Sequence, residues 1–252
     1  MKKYAQYELA TISMSVDDTL IHALENLFIE NNITQIIETG TFLGLGSTTM
    51  LAKAIIKSKK QLPQFITIEV DAQSYKHAVR NLSSYPFITP KWGLSVASNE
   101  AKKFIENDDA ILNHQKYPNI FIDDNEDPIR FYLNEIEGKL SQFAHKKTLL
   151  TRLKKLIRPV EKNNFEDNLF DTLIPKIQQE TPLFLLDSAG GLGYLEFKKV
   201  KSLMNGYSHF LILDDIHHLK HFRSYEDICA DDSYTILAKN LKLGWVIAKF
   251  SK

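Results

Sequence analysis

The chain predicts an α/β fold: a doubly wound, mostly parallel sheet with helices on both faces and an antiparallel last strand. Three observations carry that expectation. Short apolar runs alternate with stretches whose apolar residues fall at helical spacing, the pattern of a parallel sheet with right-handed crossovers. Four of those runs stop at carboxylates: Ile36-Ile37 at Glu38, Phe65-Ile66-Thr67-Ile68 at Glu69, Leu183-Phe184-Leu185-Leu186 at Asp187, and Phe210-Leu211-Ile212-Leu213 at Asp214-Asp215. At the C-terminal end, runs at 234–238 and 245–250 flank Asn240-Leu241-Lys242-Leu243-Gly244 and read as a hairpin. With a run at 88–95, the strands number seven.

In chain order, a helix is expected over 17–30, where Leu20, Ile21, Leu24, Leu27 and Phe28 share one face and Ser15 suits the N-cap. Further helices are expected over 47–57, 74–82 and 99–106, after the first, second and third strands. Residues 1–32 then form an N-terminal helical segment, and 33–123 with 182–252 form the sheet domain. Between them lies an insert at 124–181 with helical patterns at 129–143, 146–158 and 168–180. The middle one is basic through Lys146, Lys147, Arg152, Lys154, Lys155 and Arg158. It suits a lid whose basic side takes a phosphorylated or carrier-bound substrate, a solvated amphipathic helix, or a homodimer contact through its apolar face.

Composition bounds the function. At 252 residues and 44% hydrophobic content, the chain can bury the core of one α/β domain with an insert. Its 31 basic and 31 acidic side chains cancel, which leaves no global electrostatic case for nucleic acid or an acidic membrane as partner. A small-molecule acceptor fits better. Cys229 stands alone, so it forms no internal disulfide and is expected as an inert core or helix residue in a reducing compartment. The start lacks the apolar stretch of a signal peptide, and no run of about 18 apolar residues occurs. A cytoplasmic protein is expected.

The first strand runs into Glu38-Thr39-Gly40-Thr41-Phe42-Leu43-Gly44-Leu45-Gly46-Ser47, with glycines spaced G-x-x-x-G-x-G. Such a turn brings backbone N–H groups and a helix N-terminus close to a ligand. The spacing is neither the G-x-G-x-x-G of dinucleotide binders nor a P-loop, so phosphate is an unsuitable guest. Glu69, about twenty residues on, can hold both hydroxyls of a ribose. Together they suggest a nucleoside cofactor, although a Gly-rich turn also serves as a plain tight connection. The stretch resembles motif I of class I S-adenosylmethionine (SAM)-dependent methyltransferases, which have a Rossmann-like fold. That resemblance implies Glu38 beside the first glycine, Gly40, Thr41, Phe42, Gly44 and Ser47 under the methionine part of SAM, and Glu69 as the ribose ligand. Gly93-Leu94-Ser95-Val96 is similar to the G-x-S turn of catechol O-methyltransferase-like enzymes, which implies Ser95 and Val96 on the adenine side; by itself G-x-S is an ordinary loop.

Asp187, Asp214 and Asp215 would converge where an open parallel sheet binds its ligands. Three carboxylates repel one another unless a cation neutralises them or one is protonated, and an all-oxygen set suits Mg²⁺, Ca²⁺ or Mn²⁺ rather than Zn²⁺. The pattern resembles the triad of metal-dependent O-methyltransferases acting on catechol, caffeoyl-CoA and antibiotic sugars, which implies a divalent ion held by these three acids. Alternatively Asp215 is a helix N-cap, and Asp187 a SAM-side or turn residue. Of His217, His218 and His221, either His217 or His218 could be a base, His218 preferred because acid-acid-x-x-His resembles the sugar and macrolide branch; all three also suit the rim of a turn. One departure stands out: that branch often places an acid or lysine soon after the strand-four Asp, yet here none comes before Glu196. The Gly190-Gly191-x-Gly193 cluster reads as a close-approach loop. Three functions remain: metal-assisted O-methylation of a small hydroxylated acceptor, metal-independent methylation on the same fold, and a catalytically silent binding protein.

Overall fold

The computed structural model describes residues 18–139, 164–188 and 191–252. Its seven strands are β1 (Gln35–Thr39), β2 (Gln64–Glu69), β3 (Ile88–Trp92), β4 (Leu183–Leu186), β5 (His209–Leu213), β6 (Tyr234–Asn240) and β7 (Trp245–Phe250). They form one sheet in the order β3-β2-β1-β4-β5-β7-β6. All neighbouring pairs are parallel except β5–β7 and β6–β7, because the C-terminal hairpin slots β7 beside β5. From β1 the chain winds outward to β2 and β3, then returns to β4 and continues the other way. This reversal opens a crevice at the carboxyl ends of β1 and β4, where such sheets take their ligands.

Side-chain alternation splits the core in two. Ile36, Phe65, Leu183, Leu185, Phe210 and Ile212 face one layer, made by α1 (Asp18–Glu30), α2 (Ser47–Ser58) and α3 (Ala72–Asn81). Ile37, Ile68, Phe184, Leu186, Leu211 and Leu213 face the other. That second layer comprises α4 (Ser98–Asn107), α5 (Asp109–Leu112), α6 (Pro128–Ile136), α7 (Leu169–Ile177), α8 (Gly193–Leu203) and α9 (Phe222–Ala230). The inner strands β4 and β5 are buried on both sides, which is why they read as unbroken apolar runs rather than alternating ones.

Several boundaries differ from expectation. The third strand ends at Trp92, not Ser95, because Gly93 turns aside to pair with Glu166, which accepts from the amide of Leu94 at 3.0 Å and donates to the carbonyl of Trp92 at 2.9 Å. A Cβ on Gly93 would run into the Glu166 carbonyl, so glycine is required there. Helix α3 starts at Ala72, two residues earlier than 74, because the Asp71 carboxylate caps the amides of Gln73 and Ser74. The pattern at 129–143 yields α6, capped by Asp127 with Pro128 in its first turn and closed at Gly138 (φ 64°). The pattern at 168–180 yields α7 and then a 3₁₀ turn over Gln178–Glu180. Tyr132, Phe170 and Ile174 from these two helices are fully buried in the second core layer. Ser15 and the basic helical pattern at 146–158 lie outside the described residues. Cys229 sits in α9 but is exposed, not in the core. Among the described residues no helix is long and apolar enough to cross a membrane.

Candidate functional site

The glycine loop after β1 is built around buried polar side chains. Glu38 is fully buried, and its carboxylate accepts from the hydroxyls of Ser47, Thr48 and Thr67, each at 2.7 Å. Burial pushes this carboxyl up to about 7, against the pull of the three donors. Thr41 meets Thr67 hydroxyl to hydroxyl at 2.5 Å. Gly40 adopts φ 83°, and a Cβ there would run into the Asp187 carbonyl, so only glycine lets the loop cross the end of β4 so closely. Gly44, at φ 71°, packs onto Leu82 in the same way.

Glu69 ends β2 with 8% of its surface exposed. Its Oε2 accepts from the Phe42 amide at 2.6 Å and its Oε1 from the Asp71 amide at 2.7 Å, so one carboxylate ties the glycine loop to the second strand. Burial raises it to about 7, the two amides working in the opposite direction. One residue on, at Val70, a cleft of about 430 Å³ opens between the ends of β2 and β3. Its apolar walls are Val70, Ala72, Trp92, Ile136 and Phe165, with the Trp92 and Phe165 rings meeting edge to face at 5.5 Å, and Glu137, Gly138 and Lys139 complete the lining.

Across the crevice, one carboxylate oxygen each from Asp187, Asp214 and Asp215 lie within 4.8 Å of one another. The Lys220 ammonium stands among them, 2.7 Å from Asp187 Oδ1 and 2.9 Å from Asp215 Oδ2. Burial and the neighbouring carboxylates raise Asp214 well above the usual carboxylate range. Asp187 is raised to about 6, chiefly by burial, with Lys220 pulling the other way. Lys220 holds Asp215 low despite burial, and the three acids in turn hold Lys220 well above its ordinary value despite its own burial.

Around this core, Asp123 faces His218, with Oδ2 3.1 Å from Nε2, near enough for an ion pair though poorly aligned for a hydrogen bond. His218 Nδ1 accepts from the Lys220 amide at 3.0 Å, which places the proton of a neutral ring on Nε2, toward Asp123. Despite burial, His218 and Lys220 hold Asp123 below the usual range. Glu135 of α6 looks onto the same region; its Oε2 is shut from solvent and makes no hydrogen bond to any described residue. Burial and the Asp123 charge push Glu135 up to about 8. Glu196 of α8 is sealed in beneath, accepting from Thr39 at 3.0 Å, from Ser188 at 2.6 Å and from Ser95.

Among solved structures, the chain is similar to an O-methyltransferase from Bacillus cereus in complex with SAH, at 14% identity and a TM-score of 0.49, over 94% of this chain and 83% of that one. It is also similar to a candidate caffeoyl-CoA O-methyltransferase from Staphylococcus aureus, at 13% identity and a TM-score of 0.47, over 98% of this chain and 90% of that one. At such values neither likeness adds to what the strand order already says. No family model and no curated protein matches the sequence.

The acids expected from sequence do meet at the switch point, but several residues take other parts. Glu38, Thr41 and Ser47 are all buried, Ser47 bonded to Glu38 across the loop and Thr41 to Thr67 of β2. The Ser95 hydroxyl is turned onto Glu196, and Val96 is fully buried in the core, so neither side chain lines the aromatic cleft. Asp215 caps no helix, since α9 begins only at Phe222; it sits at φ 56° in the turn after β5. His217 is exposed, with Nε2 against the Leu241 carbonyl, and His218 has one ring nitrogen facing Asp123 and the other holding a backbone amide. In its neutral form His218 therefore has no free lone pair on either ring nitrogen. His221 is fully buried between the Leu186 carbonyl and Ser224.

Sequence reading missed Lys220, which stands in the same run as the histidines, and the contributions of Asp123, Glu135 and Glu196. Asp123 had a signal, because Ile120-Phe121-Ile122 ends in an acid as the sheet strands do. Of the glycine cluster, Gly191 and Gly193 mark close approach: a Cβ on Gly191 would come within 2.6 Å of Tyr132, and one on Gly193 within 2.7 Å of the Lys220 carbonyl, while Gly190 lies outside the described residues.

Proposed function

We propose that this protein is a SAM-dependent methyltransferase acting on a hydroxyl of a small acceptor in a cytoplasmic setting. The observation that carries the reading is Glu69: a buried carboxylate at the tip of β2, joined to the glycine loop by the Phe42 amide, and one residue from an aromatic-walled cleft. The Glu69 carboxylate accepts from the amides of Phe42 and Asp71 through different oxygens, and as an acceptor-only group with about four lone-pair sites it can take a ribose hydroxyl as well. Trp92 and Phe165 supply flat apolar walls of the kind a purine needs. SAM, when bound, supplies a methyl group on a positively charged sulfur. The carboxylate-rich crevice complements that charge, and positioning then does most of the catalytic work.

The acceptor side falls to the cluster around Lys220. Its ammonium has three donors, two of them given to Asp187 and Asp215, which leaves one for an acceptor oxygen. Asp187, with a carboxyl near 6, is ionised at neutral pH and is the group best suited to receive the hydroxyl proton. As hard oxygen donors the three Asp suit a divalent ion. As arranged they do not fit one, because Lys220 already occupies two of the three, and no step is routed through a metal. The silent-binding alternative rested on the lack of an acid or lysine soon after Asp187. Lys220 supplies that lysine from the loop after β5, which favours an enzyme.

The test is release of S-adenosylhomocysteine from SAM in the presence of chelator, across a panel of phenols, catechols and sugar diols. Turnover with at least one class is the expected result. SAM binding without turnover on any of them would move the protein to the silent-binding reading.

A further inference from the structure

We infer that Lys220 is a built-in replacement for the divalent ion that this carboxylate triad would otherwise hold, so that the protein excludes metal from the site and grips its acceptor with an ammonium instead. The acceptor half of this inference rests on the methyltransferase reading; the exclusion of metal does not.

The geometry is that of a counter-ion, not of a stray surface lysine. One nitrogen bridges carboxylates from the ends of two neighbouring strands, Asp187 after β4 and Asp215 after β5. Lys220 as a whole is only 6% exposed. Its backbone amide is pinned on His218 Nδ1 at 3.0 Å. Its stem lies against Gly193 at the start of α8, where any side chain would collide with the Lys220 Cγ and come within 2.7 Å of its carbonyl. The fold therefore keeps a glycine, Gly193, where the lysine needs room.

A divalent ion bound by the triad would contact the same oxygens at about 2.1 to 2.5 Å and so compete with the ammonium for Asp187 and Asp215. Binding would require Lys220 to leave both carboxylates. Lys220 thus does two of the jobs of the ion: it neutralises converging acids, and it presents positive charge to an acceptor oxygen. It does not offer an ion's several coordination positions, so a single hydroxyl suffices for the acceptor and a vicinal pair is not required.

The inference is tested with Mn²⁺ alone, followed by the electron paramagnetic resonance signal of the free aquo ion during titration of the whole protein. Wild-type protein is expected to leave the signal unquenched through the micromolar range. Lys220→Met is expected to bind one Mn²⁺ at least about tenfold more tightly than wild type. Adding Asp214→Asn and Asp215→Asn to that variant should abolish the gain. Micromolar Mn²⁺ binding by the wild-type protein that Asp214→Asn removes would overturn the inference, as would a folded Lys220→Met protein that binds no better than wild type. If Lys220→Met does not fold, Lys220→Gln takes its place, and the wild-type titration still decides against the inference on its own. Because the probe is the metal, a failure of methyl transfer leaves these outcomes unaffected.

Discussion

At the scale of single residues, the site is defined by buried acids and by what satisfies each one. Glu196 is one such acid. Ser95 sits after the ribose acid, as a cofactor contact should, yet its hydroxyl serves Glu196. Ser95→Ala is therefore expected to cost about 1 to 2 kcal/mol of stability by leaving a buried carboxylate short of a donor, while SAM affinity changes by less than about threefold. Chemical denaturation and calorimetry on the same variant check both halves. Glu135 leads to a pH prediction. Its carboxyl is raised to about 8, and those of Glu38 and Glu69 to about 7, all above the value of 4.5 expected for an exposed glutamate. A raised carboxyl contributes stability that is full below its unfolded pKa and is lost as pH rises through the folded one. The buried His221 and His209, lowered by burial, act the other way, but only below about pH 6.5. Between about pH 6.5 and about pH 8.5 the melting temperature should accordingly fall, and Glu135→Gln should flatten the upper part of that fall. A melting temperature that rises across the window would contradict the assignment.

At the scale of elements, the strand ends fix the site and the glycines fix the strand ends. Gly40→Ala is expected to destabilise the protein by more than about 3 kcal/mol, since it forces a side chain at φ 83° into the Asp187 carbonyl; thermal unfolding measures it. Much at this scale was legible in the sequence. The apolar runs with terminal acids located β1, β2, β4 and β5 because parallel strands buried on both faces leave no other pattern, and Asn240–Gly244 marked the final hairpin. What was not legible depended on contacts across space. The early end of β3 follows from pairing of Gly93 with Glu166, far along the chain. The part taken by Lys220 follows from the path of the loop after β5 over Gly193. In one dimension the three histidines drew more notice than the lysine between them, although in the fold His217 and His221 are tied to backbone carbonyls and Lys220 holds the acids.

At the scale of the whole molecule, the reversal of strand order between β1 and β4 assembles the site. On the proposed reading the cofactor side gathers at β1 to β3 and the acceptor side at β4 and β5, and α6 reaches both, with Tyr132 packed against Gly191 and Ile136 lining the cleft beside Trp92. With equal numbers of acidic and basic side chains, the molecule has no formal net charge. The local excess of carboxylates at the crevice is where charge selects a ligand. The central claim is that Glu69 and the glycine loop hold SAM, and calorimetric titration of SAM into wild-type and Glu69→Gln protein, with chelator present, tests it most directly. At about pH 8, where a carboxyl near 7 is ionised, wild type is expected to bind in the micromolar range and Glu69→Gln at least about tenfold more weakly. Equal affinity in the two proteins, or no heat from a folded wild-type protein at about millimolar SAM, would contradict it.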